Sequence, residues 1–217
     1  RTNVADYPVT LALKDGRVPS DLVELQFCGP KTAHDGFKPM MRESAFAVGE
    51  IATATFLQGL AYGKPYVLLP VATAGRLQHG SIVYNRARGH LAPRDLAGRR
   101  VGVRAYSQTT GLWVRGILRH DHGVDPAQVT WVTVEESHLA EYQDPPNCLR
   151  LPAGTSLAQL LLDGEIDAAI LGYGIPADPR IVPLFPAPEE AAQAWRAREG
   201  FVPINHLVAV HRSLTRE

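Results

Sequence analysis

Residues 100–118, RVGVRAYSQTTGLWVRGIL, decide the fold class of this chain. The valine-rich start over residues 100–105 predicts a buried strand, and the apolar residues that follow are spaced as one face of a helix over residues 109–119. A strand that runs directly into a helix is the repeating unit of α/β proteins, in which helices connect neighbouring parallel strands. The stretch therefore predicts an α/β fold with flanking helices.

The rest of the chain repeats this alternation on both sides of residue 100. Further strands are predicted over residues 9–14, 23–28, 46–52, 66–72, 81–84, 129–134, 166–171 and 206–210. Further helices are predicted over residues 32–44, 54–62, 157–162 and 188–198, and Thr53 is the predicted cap of the second. Because the pattern restarts near residue 100, we expect two α/β lobes with mixed or parallel sheets. Such folds bind ligands at the carboxyl ends of their strands.

The composition of the chain excludes several classes of function. Its 217 residues include 22 Lys and Arg against 22 Asp and Glu, so the zero net charge gives no electrostatic case for binding nucleic acid or acidic lipid. No run approaches the roughly 18 apolar residues of a membrane-spanning helix. Cys28 and Cys148 stand far apart and indicate neither a disulfide framework nor a zinc module. We expect a protein that handles a small molecule.

The junction between the predicted strand and helix, residues 105–111, is the sharpest candidate site. Hydroxyl and N–H groups at a helix start bind carboxylate or phosphate, because first-turn donors lack helical partners and the dipole end is positive. The alternative is that one of these hydroxyls only caps the helix. The candidate ligand-binding residues are Tyr106, Ser107, Gln108, Thr109 and Thr110.

Four residues outside this junction are also candidates. Arg76 and His79 lie three apart in a turn after a predicted strand, which places a fixed cation near a titratable base. Glu50 lies near the end of the apolar run 46–52, where burial or a crevice perturbs the pKa of a carboxyl group. His206 begins the last predicted strand. The alternatives are a solvated turn for Arg76 and His79, a strand-end charge that reaches water for Glu50, and a structural role for His206.

Five blocks of the sequence occur in an order that is typical of one family. They are residues 37–71 (FKPMMRESAFAVGEIATATFLQGLAYGKPYVLLPV), 75–85 (GRLQHGSIVYN), 95–118 (DLAGRRVGVRAYSQTTGLWVRGIL), 160–170 (LLLDGEIDAAI) and 202–214 (VPINHLVAVHRSL). Together they resemble the 4,5-dihydroxyphthalate decarboxylase-like proteins, which are also labelled substrate-binding components of ABC transporters. The resemblance covers most of residues 7–214. One departure is His79-Gly80, where many relatives carry two histidines.

The resemblance implies a two-lobed fold of the type 2 periplasmic binding protein class, with the ligand in a cleft between the lobes. It implies a first lobe of residues 1–97 and 186–217 and a second of residues 98–185. Relatives continue past the last predicted strand, so we expect the first lobe to be truncated at Glu217. The residues expected to face the ligand are Glu50, Thr53, Arg76 and His79 from the first lobe and residues 106–110 from the second, with His206 near the hinge.

The activity that the resemblance implies is decarboxylation of a small aromatic carboxylate by protonation of its dihydroxybenzene ring. His79 or His206 is then expected to supply the proton, and Glu50 to accept a phenolic proton. Arg76 and residues 107–110 are expected to hold a carboxylate group that stays on the ring. No cofactor is expected and no metal ligands are assigned, while a metal requirement stays open at the level of the sequence.

Two other functions remain open at the level of the sequence. A solute-binding protein for a small carboxylate, with an ABC permease as its partner, needs only the anion-binding residues and performs no turnover. A ligand-sensing domain is the third class. The lack of a secretion signal and two cysteines that we expect to be free favour the cytoplasm, whereas removal of an upstream signal peptide would indicate the periplasm. Association into a homo-oligomer is compatible with every one of these functions.

Overall fold

The structure is a computed structural model that describes residues 1–172 and 174–215. Tyr173, in the predicted second lobe, and Arg216 and Glu217, at the predicted end of the first, lie outside the described residues. Over these ranges the helices are α1 (Pro8–Lys14), α2 (Phe37–Glu43), α3 (Thr53–Ala61), α4 (Thr109–His122), α5 (Leu157–Asp163) and α6 (Pro188–Glu199). The strands are β1 (Thr2–Asn3), β2 (Val48–Ala52), β3 (Tyr66–Gly75), β4 (Ile82–Asn85), β5 (Arg100–Val103), β6 (Thr130–Thr133), β7 (Cys148–Arg150), β8 (Ala168–Ile170), β9 (Ile181–Pro183) and β10 (Ile204–His211). In this described part, no helix has the length and apolar character needed to cross a membrane.

The chain divides into two compact units. The first comprises Arg1–Gly75, His138–Tyr142 and the chain from Ile204 onward, and the second comprises Arg76–Ser137 and Gln143–Pro203. The division between these units therefore falls at Gly75 and Ile204, and the lobe boundaries at residues 97 and 186 stay a prediction. The units divide there because β4 is a strand of the second unit's sheet, and because Trp195 of α6 packs in the second unit's core.

The first unit is built on a sheet with the strand order β1-β2-β10-β3. β1 runs parallel to β2, whereas β10 is antiparallel to both β2 and β3. The spacing of Phe37, Met40 and Met41 forms the buried face of α2, as predicted. The register of β10 against β2 pairs residue 206 with residue 52, which brings the start of β10 beside the end of β2.

The second unit is built on a mixed sheet with the order β7-β6-β5-β8-β4-β9. β5 is parallel to β6 and β8, while β4 is antiparallel to β8 and β9. Gly102 of β5 allows close packing, because a Cβ atom there would lie 2.7 Å from Cδ1 of Ile166. β5 leads into α4 as residues 100–118 predict, so the start of α4 lies at the carboxyl end of the parallel strands.

Residues 9–14 form helix α1 and not the predicted strand. Pro8 occupies the first turn of the helix, and the backbone N–H of Tyr7 donates to Oγ1 of Thr10 at 2.8 Å, so the start of the helix is fixed locally. Val9 is 73% exposed, which shows that the apolar alternation of this run does not mark a buried sheet face.

The short strands also differ from the predictions. Residues 23–28 contribute a bridge from Phe27 to Thr2 in place of the predicted strand. β1, β7 and β9 are two or three residues long and were not predicted. A strand of that length is too short to show alternation, so only its partners in the sheet define it.

Candidate functional site

A buried carboxylate meets a histidine in the first unit. Glu50 of β2 is fully buried, and its Oε1 lies 2.6 Å from Nδ1 of His206 on the neighbouring strand β10. An ionised carboxylate has no hydrogen to give, so Nδ1 of His206 is the donor. The Nε2 atom is then left for proton exchange. This is the arrangement in which a carboxylate fixes the tautomer and orientation of a catalytic histidine.

Two more donors hold Glu50. The hydroxyl of Tyr7 donates to Oε1 at 2.7 Å, and the N–H of Ala5 donates to Oε2 at 3.1 Å. Burial alone would raise the pKa of Glu50, but the hydrogen bonds from His206, Tyr7 and Ala5 together outweigh it and hold that pKa below its ordinary value. Glu50 is therefore ionised at neutral pH, and both of its oxygens are occupied.

His206 is the more accessible member of this pair. Its side chain is 26% exposed, compared with 0% for Glu50. The ring of Phe37 stands at 90° to the imidazole, with the two centroids 5.3 Å apart. Nε2 makes no hydrogen bond to any residue in the described ranges. The histidine is thus held on one side and open to a proton donor or acceptor on the other.

Thr53 has a different role from the predicted cap. It is the first residue of α3, and Ala52 occupies the cap position. The Thr53 hydroxyl lies 2.9 Å from the carbonyl oxygen of Ile204 and 3.2 Å from that of Asn205. Its hydrogen is therefore directed to the backbone just before His206, where it fixes the start of β10.

Arg76 lies at the start of α4 in the second unit. Its Nη2 donates to Oγ1 of Thr110 at 3.0 Å, and its backbone N–H donates to the carbonyl of Pro203 at 3.0 Å. A Cβ atom on Gly172, which follows β8, would lie 3.0 Å from the same Nη2. The half-buried guanidinium is thus held between the first turn of α4 and the residues that follow β8.

The first turn of α4 is not capped by a hydroxyl side chain, which was the alternative that the sequence left open. The cap residue is Gln108, so neither Ser107 nor Thr109 occupies that position, and the Gln108 side chain makes no capping bond to the described residues. Ser107, Thr109 and Thr110 are all buried. The positive end of the dipole of this helix lies beside a guanidinium, which favours a carboxylate or another small anion.

Arg115 is a residue of this region that the sequence reasoning missed. Its guanidinium carbon lies 3.9 Å from the ring centroid of Tyr106, and its Nη2 donates to the Tyr106 carbonyl at 2.8 Å. The stacking and the hydrogen bond fix the loop between β5 and α4. The available signal was an arginine on the otherwise apolar face of a predicted helix.

His79 lies in the aromatic core of the second unit. It is 3% exposed, and its ring centroid lies 4.9 Å from that of Phe185 and 6.4 Å from that of Trp195. Burial is the main cause that lowers its pKa, so the imidazole is neutral at pH 7. The catalytic assignment of His79 stays a prediction.

Two curated proteins show which family the chain comes from. No family model matches the chain. A 4,5-dihydroxyphthalate decarboxylase from Comamonas testosteroni is 30% identical over 233 aligned positions, which cover 99% of this chain and 68% of that protein. The chain belongs to the 4,5-dihydroxyphthalate decarboxylase family. A second decarboxylase of that name, from Pseudomonas putida, is 30% identical over 209 positions, covering 88% of this chain and 79% of that protein. The resemblance in the sequence is confirmed.

The fold of this decarboxylase family member is that of a solute-binding protein. The periplasmic aliphatic sulphonate binding protein from Escherichia coli matches it with a TM-score of 0.55 at 13% identity, covering 94% of this chain and 60% of that one. At this identity the likeness shows the fold alone, and it confirms the predicted type 2 periplasmic binding protein class. The chain spans less than two thirds of that solved protein.

The candidate residues of this family member fall in both units. The first unit holds Glu50, Thr53 and His206, and the second holds Arg76, His79, Tyr106, Ser107, Gln108, Thr109 and Thr110. Each unit brings one set together: the Glu50–His206 pair in the first, and Arg76 with the start of α4 in the second. Within residues 1–172 and 174–215, no three His, Cys, Asp or Glu side chains form a group that could hold a metal ion.

Proposed function

We propose that this chain is a carboxy-lyase that decarboxylates a small aromatic dihydroxybenzene carboxylate, with 4,5-dihydroxyphthalate as the first candidate. The Glu50–His206 pair carries the proposal, because a histidine oriented by a buried carboxylate serves proton transfer and is not needed for ligand binding alone. Membership of the decarboxylase family supports the same class of reaction.

The reaction replaces a C–C bond on the ring by a C–H bond. Protonated His206 gives its Nε2 proton to the ring carbon that bears the carboxylate. The bond to the carboxylate carbon then breaks, its electron pair returns to the ring, and CO₂ leaves. Neutral His206 takes its next proton from water. A single general acid of this kind contributes typically about 10²–10⁴-fold to a rate.

Glu50 acts in this proposal as a positioning residue. The sequence suggested that it accepts a phenolic proton, but a fully buried carboxylate with three donors argues for a different role. Its hydrogen bond holds the Nδ1–H tautomer of His206 and orients the imidazole so that Nε2 faces the side from which a proton is donated. Tyr7 and Ala5 keep the carboxylate in place.

Arg76 and the start of α4 bind the carboxylate that remains on the ring. A guanidinium pairs with a carboxylate through two parallel hydrogen bonds, and the first turn of α4 adds the positive end of its dipole. The hydrogen bond from Nη2 to Thr110 supports this role, because it fixes the side chain of Arg76 against the helix start. The substrate class is therefore an aromatic acid with a second carboxylate.

The second candidate function is a solute-binding protein for a small carboxylate. The likeness of the fold to a periplasmic sulphonate binding protein favours it. This function needs only Arg76 and the start of α4, together with an ABC permease as partner. It gives no reason for the buried Glu50–His206 pair, which is why we place it second.

We also propose a cytoplasmic location. Cys28 and Cys148 are both free thiols, which a reducing compartment maintains. Fractionation of cells that express the complete gene tests this proposal, since recovery of the protein from the periplasm would contradict it. Sedimentation of the purified chain tests the prediction of a homo-oligomer.

Incubation of the chain with a panel of aromatic acids tests the proposed function. The panel contains 4,5-dihydroxyphthalate, 3,4-dihydroxybenzoate and phthalate, and both CO₂ release and the shift in melting temperature are recorded. We expect CO₂ from 4,5-dihydroxyphthalate, and stabilisation without CO₂ from phthalate, which lacks the phenols. Stabilisation by every acid without CO₂ would establish the binding protein instead.

A further inference from the structure

An exposed apolar patch lies in the second unit. It is formed by Leu112 and Trp113 of α4 and by Phe201 and Val202, which follow α6. Leu112, Phe201 and Val202 are 40%, 45% and 37% exposed. Large apolar side chains exposed close to one another at a protein surface indicate a place where something binds, and the rings of Trp113 and Phe201 are in contact. The proposed reaction has so far used none of them.

A chain of contacts connects this patch with Arg76. The N–H of Arg76 donates to the carbonyl of Pro203, directly after the patch, and its Nη2 donates to Thr110. Thr110 and Trp113 are three residues apart in α4, so their side chains lie on one face of the helix. The centroid of a Trp113 ring lies 5.9 Å from that of Phe201. These links place the guanidinium and the two aromatic side chains in the same region of the second unit.

The two aromatic side chains are held in place by contact with the core of the second unit. The Phe201 ring stands at 79° to a ring of Trp195, with the centroids 5.1 Å apart. Trp195 is 7% exposed and belongs to the core of the second unit. Trp113 in turn is inclined at 51° to Phe201. The pair forms a fixed surface that needs little ordering when a ligand binds.

We infer that Trp113 and Phe201 form an aromatic wall that receives the ring of the carboxylate ligand held by Arg76. The inference deepens the proposed function and rests on it for the identity of the ligand. Aromatic rings attract each other in stacked or edge-to-face arrangements with centroids about 4.5–7 Å apart. An aliphatic acid bound through the same carboxylate gains less from the wall, so the wall selects aromatic acids.

Binding of two matched diacids tests the wall without any turnover. Phthalate and cyclohexane-1,2-dicarboxylate are titrated calorimetrically into the wild-type chain and into the variants Trp113→Leu and Phe201→Leu. We expect the wild type to prefer phthalate by up to about tenfold. Both variants are expected to lose this preference and to keep their affinity for the saturated acid, whereas Trp113→Phe retains most of the preference.

Tyr62→Leu is the control for the loss of an exposed aromatic side chain. Tyr62 belongs to the first unit and is 46% exposed, so its replacement should leave the preference unchanged. If circular dichroism shows that Trp113→Leu does not fold, the Phe201→Leu variant provides the test, because Phe201 is exposed. A preference that survives both leucine variants overturns the inference. So does a change in sedimenting mass with an unchanged preference, which would mean that a second copy covers the patch.

The outcome distinguishes the wall from the proposed function. A preference for phthalate that depends on Trp113, with no CO₂ from 4,5-dihydroxyphthalate, supports the wall and rejects the enzyme. CO₂ release with an unchanged preference in both leucine variants supports the enzyme and rejects the wall.

Discussion

At the scale of single residues, the proposed chemistry depends on the side chains that contact Glu50. The sequence marks Glu50 and His206 as separate candidates, because each lies in or beside an apolar run. Their pairing could not be predicted, since it needs the register of β2 against β10, which lie 156 residues apart at this contact. Tyr7 gives no local signal at all, because its partner lies 43 residues away.

Glu50→Gln tests the positioning role of the carboxylate. The amide keeps the shape of the side chain but replaces the carboxylate that accepts the Nδ1–H of His206 and fixes the orientation of the ring. We expect kcat for 4,5-dihydroxyphthalate to fall about 10²–10⁴-fold while KM changes little. Glu190→Gln, an exposed change in α6, is the matched control. A Glu50→Gln enzyme with wild-type kcat would contradict the role.

The same substitution has a predicted effect on acid stability. The pKa of Glu50 is lowered from 4.5, so the ionised side chain contributes stability above about pH 4.5 that is lost as the pH falls through its folded-state pKa. Urea unfolding of wild type and Glu50→Gln between pH 7 and pH 3.5 measures this. We expect the difference between the two proteins to shrink as the pH falls.

His79→Leu tests whether His79 is a neutral core residue. Its pKa is lowered from 6.5 by burial, so below that pH the unfolded chain binds a proton that the folded chain resists. Wild-type stability should therefore fall with pH below about 6.5, by at most about 1.4 kcal/mol per pH unit for one proton. His79→Leu should reduce that slope, and the exposed His120→Leu should leave it unchanged.

The turnover of the same variant decides the catalytic prediction for His79. A folded His79→Leu protein with a near wild-type rate would mean that His79 is a structural residue of the core and not a catalytic one. A loss of more than 10²-fold, about the smallest effect of a catalytic acid, would restore it as a catalytic residue.

At the scale of elements, the strand and helix of residues 100–118 were predictable and α1 was not. β5 is a short apolar run that is buried on both faces, and α4 carries an apolar face over fourteen residues that matches its burial. In α1 the alternating apolar side chains are exposed, so the signal that indicated a strand came from residues that never enter the core. Pro8 and Thr10 carried the correct signal, that of a helix start.

Gly172→Ala tests how α4 and the residues after β8 position Arg76. Gly172 has φ of 62°, and a Cβ atom would lie 3.0 Å from Nη2 of Arg76. Gly154→Ala is the matched control, because Gly154 has φ of 86° with nothing within 4 Å of its Cβ position. Both changes should cost about 1 kcal/mol of unfolding free energy through backbone strain. Only Gly172→Ala should weaken binding of phthalate, measured by titration calorimetry.

At the scale of the whole molecule, the first unit contains an additional short segment of the chain that the sequence did not predict. Residues His138–Tyr142 belong to the first unit, although the strands before and after them, β6 and β7, belong to the second. Leu139 is buried in the first unit's core, and Lys64 pairs with Glu141 at 2.6 Å. A polar loop without periodicity gives no sign of such docking, because its partners lie far away in the sequence.

Leu139→Ala tests the docking of this segment. The side chain is 1% exposed, so its truncation should cost about 2–5 kcal/mol of unfolding free energy, as for other buried leucines. Leu149→Ala, at a site that is 44% exposed in β7, should cost far less. Urea unfolding measures both. Equal and small losses would mean that the segment does not contribute to the core.

The rate of CO₂ release by His206→Gln tests the central claim most directly. The amide lacks a titratable proton, while Arg76 and the start of α4 are unchanged. With 4,5-dihydroxyphthalate as substrate, we expect the rate to fall at least about 10²-fold, while the thermal shift induced by phthalate is retained. His120→Gln, an exposed change at the far end of α4, should keep the wild-type rate. A His206→Gln protein that releases CO₂ as fast as the wild type would contradict the account.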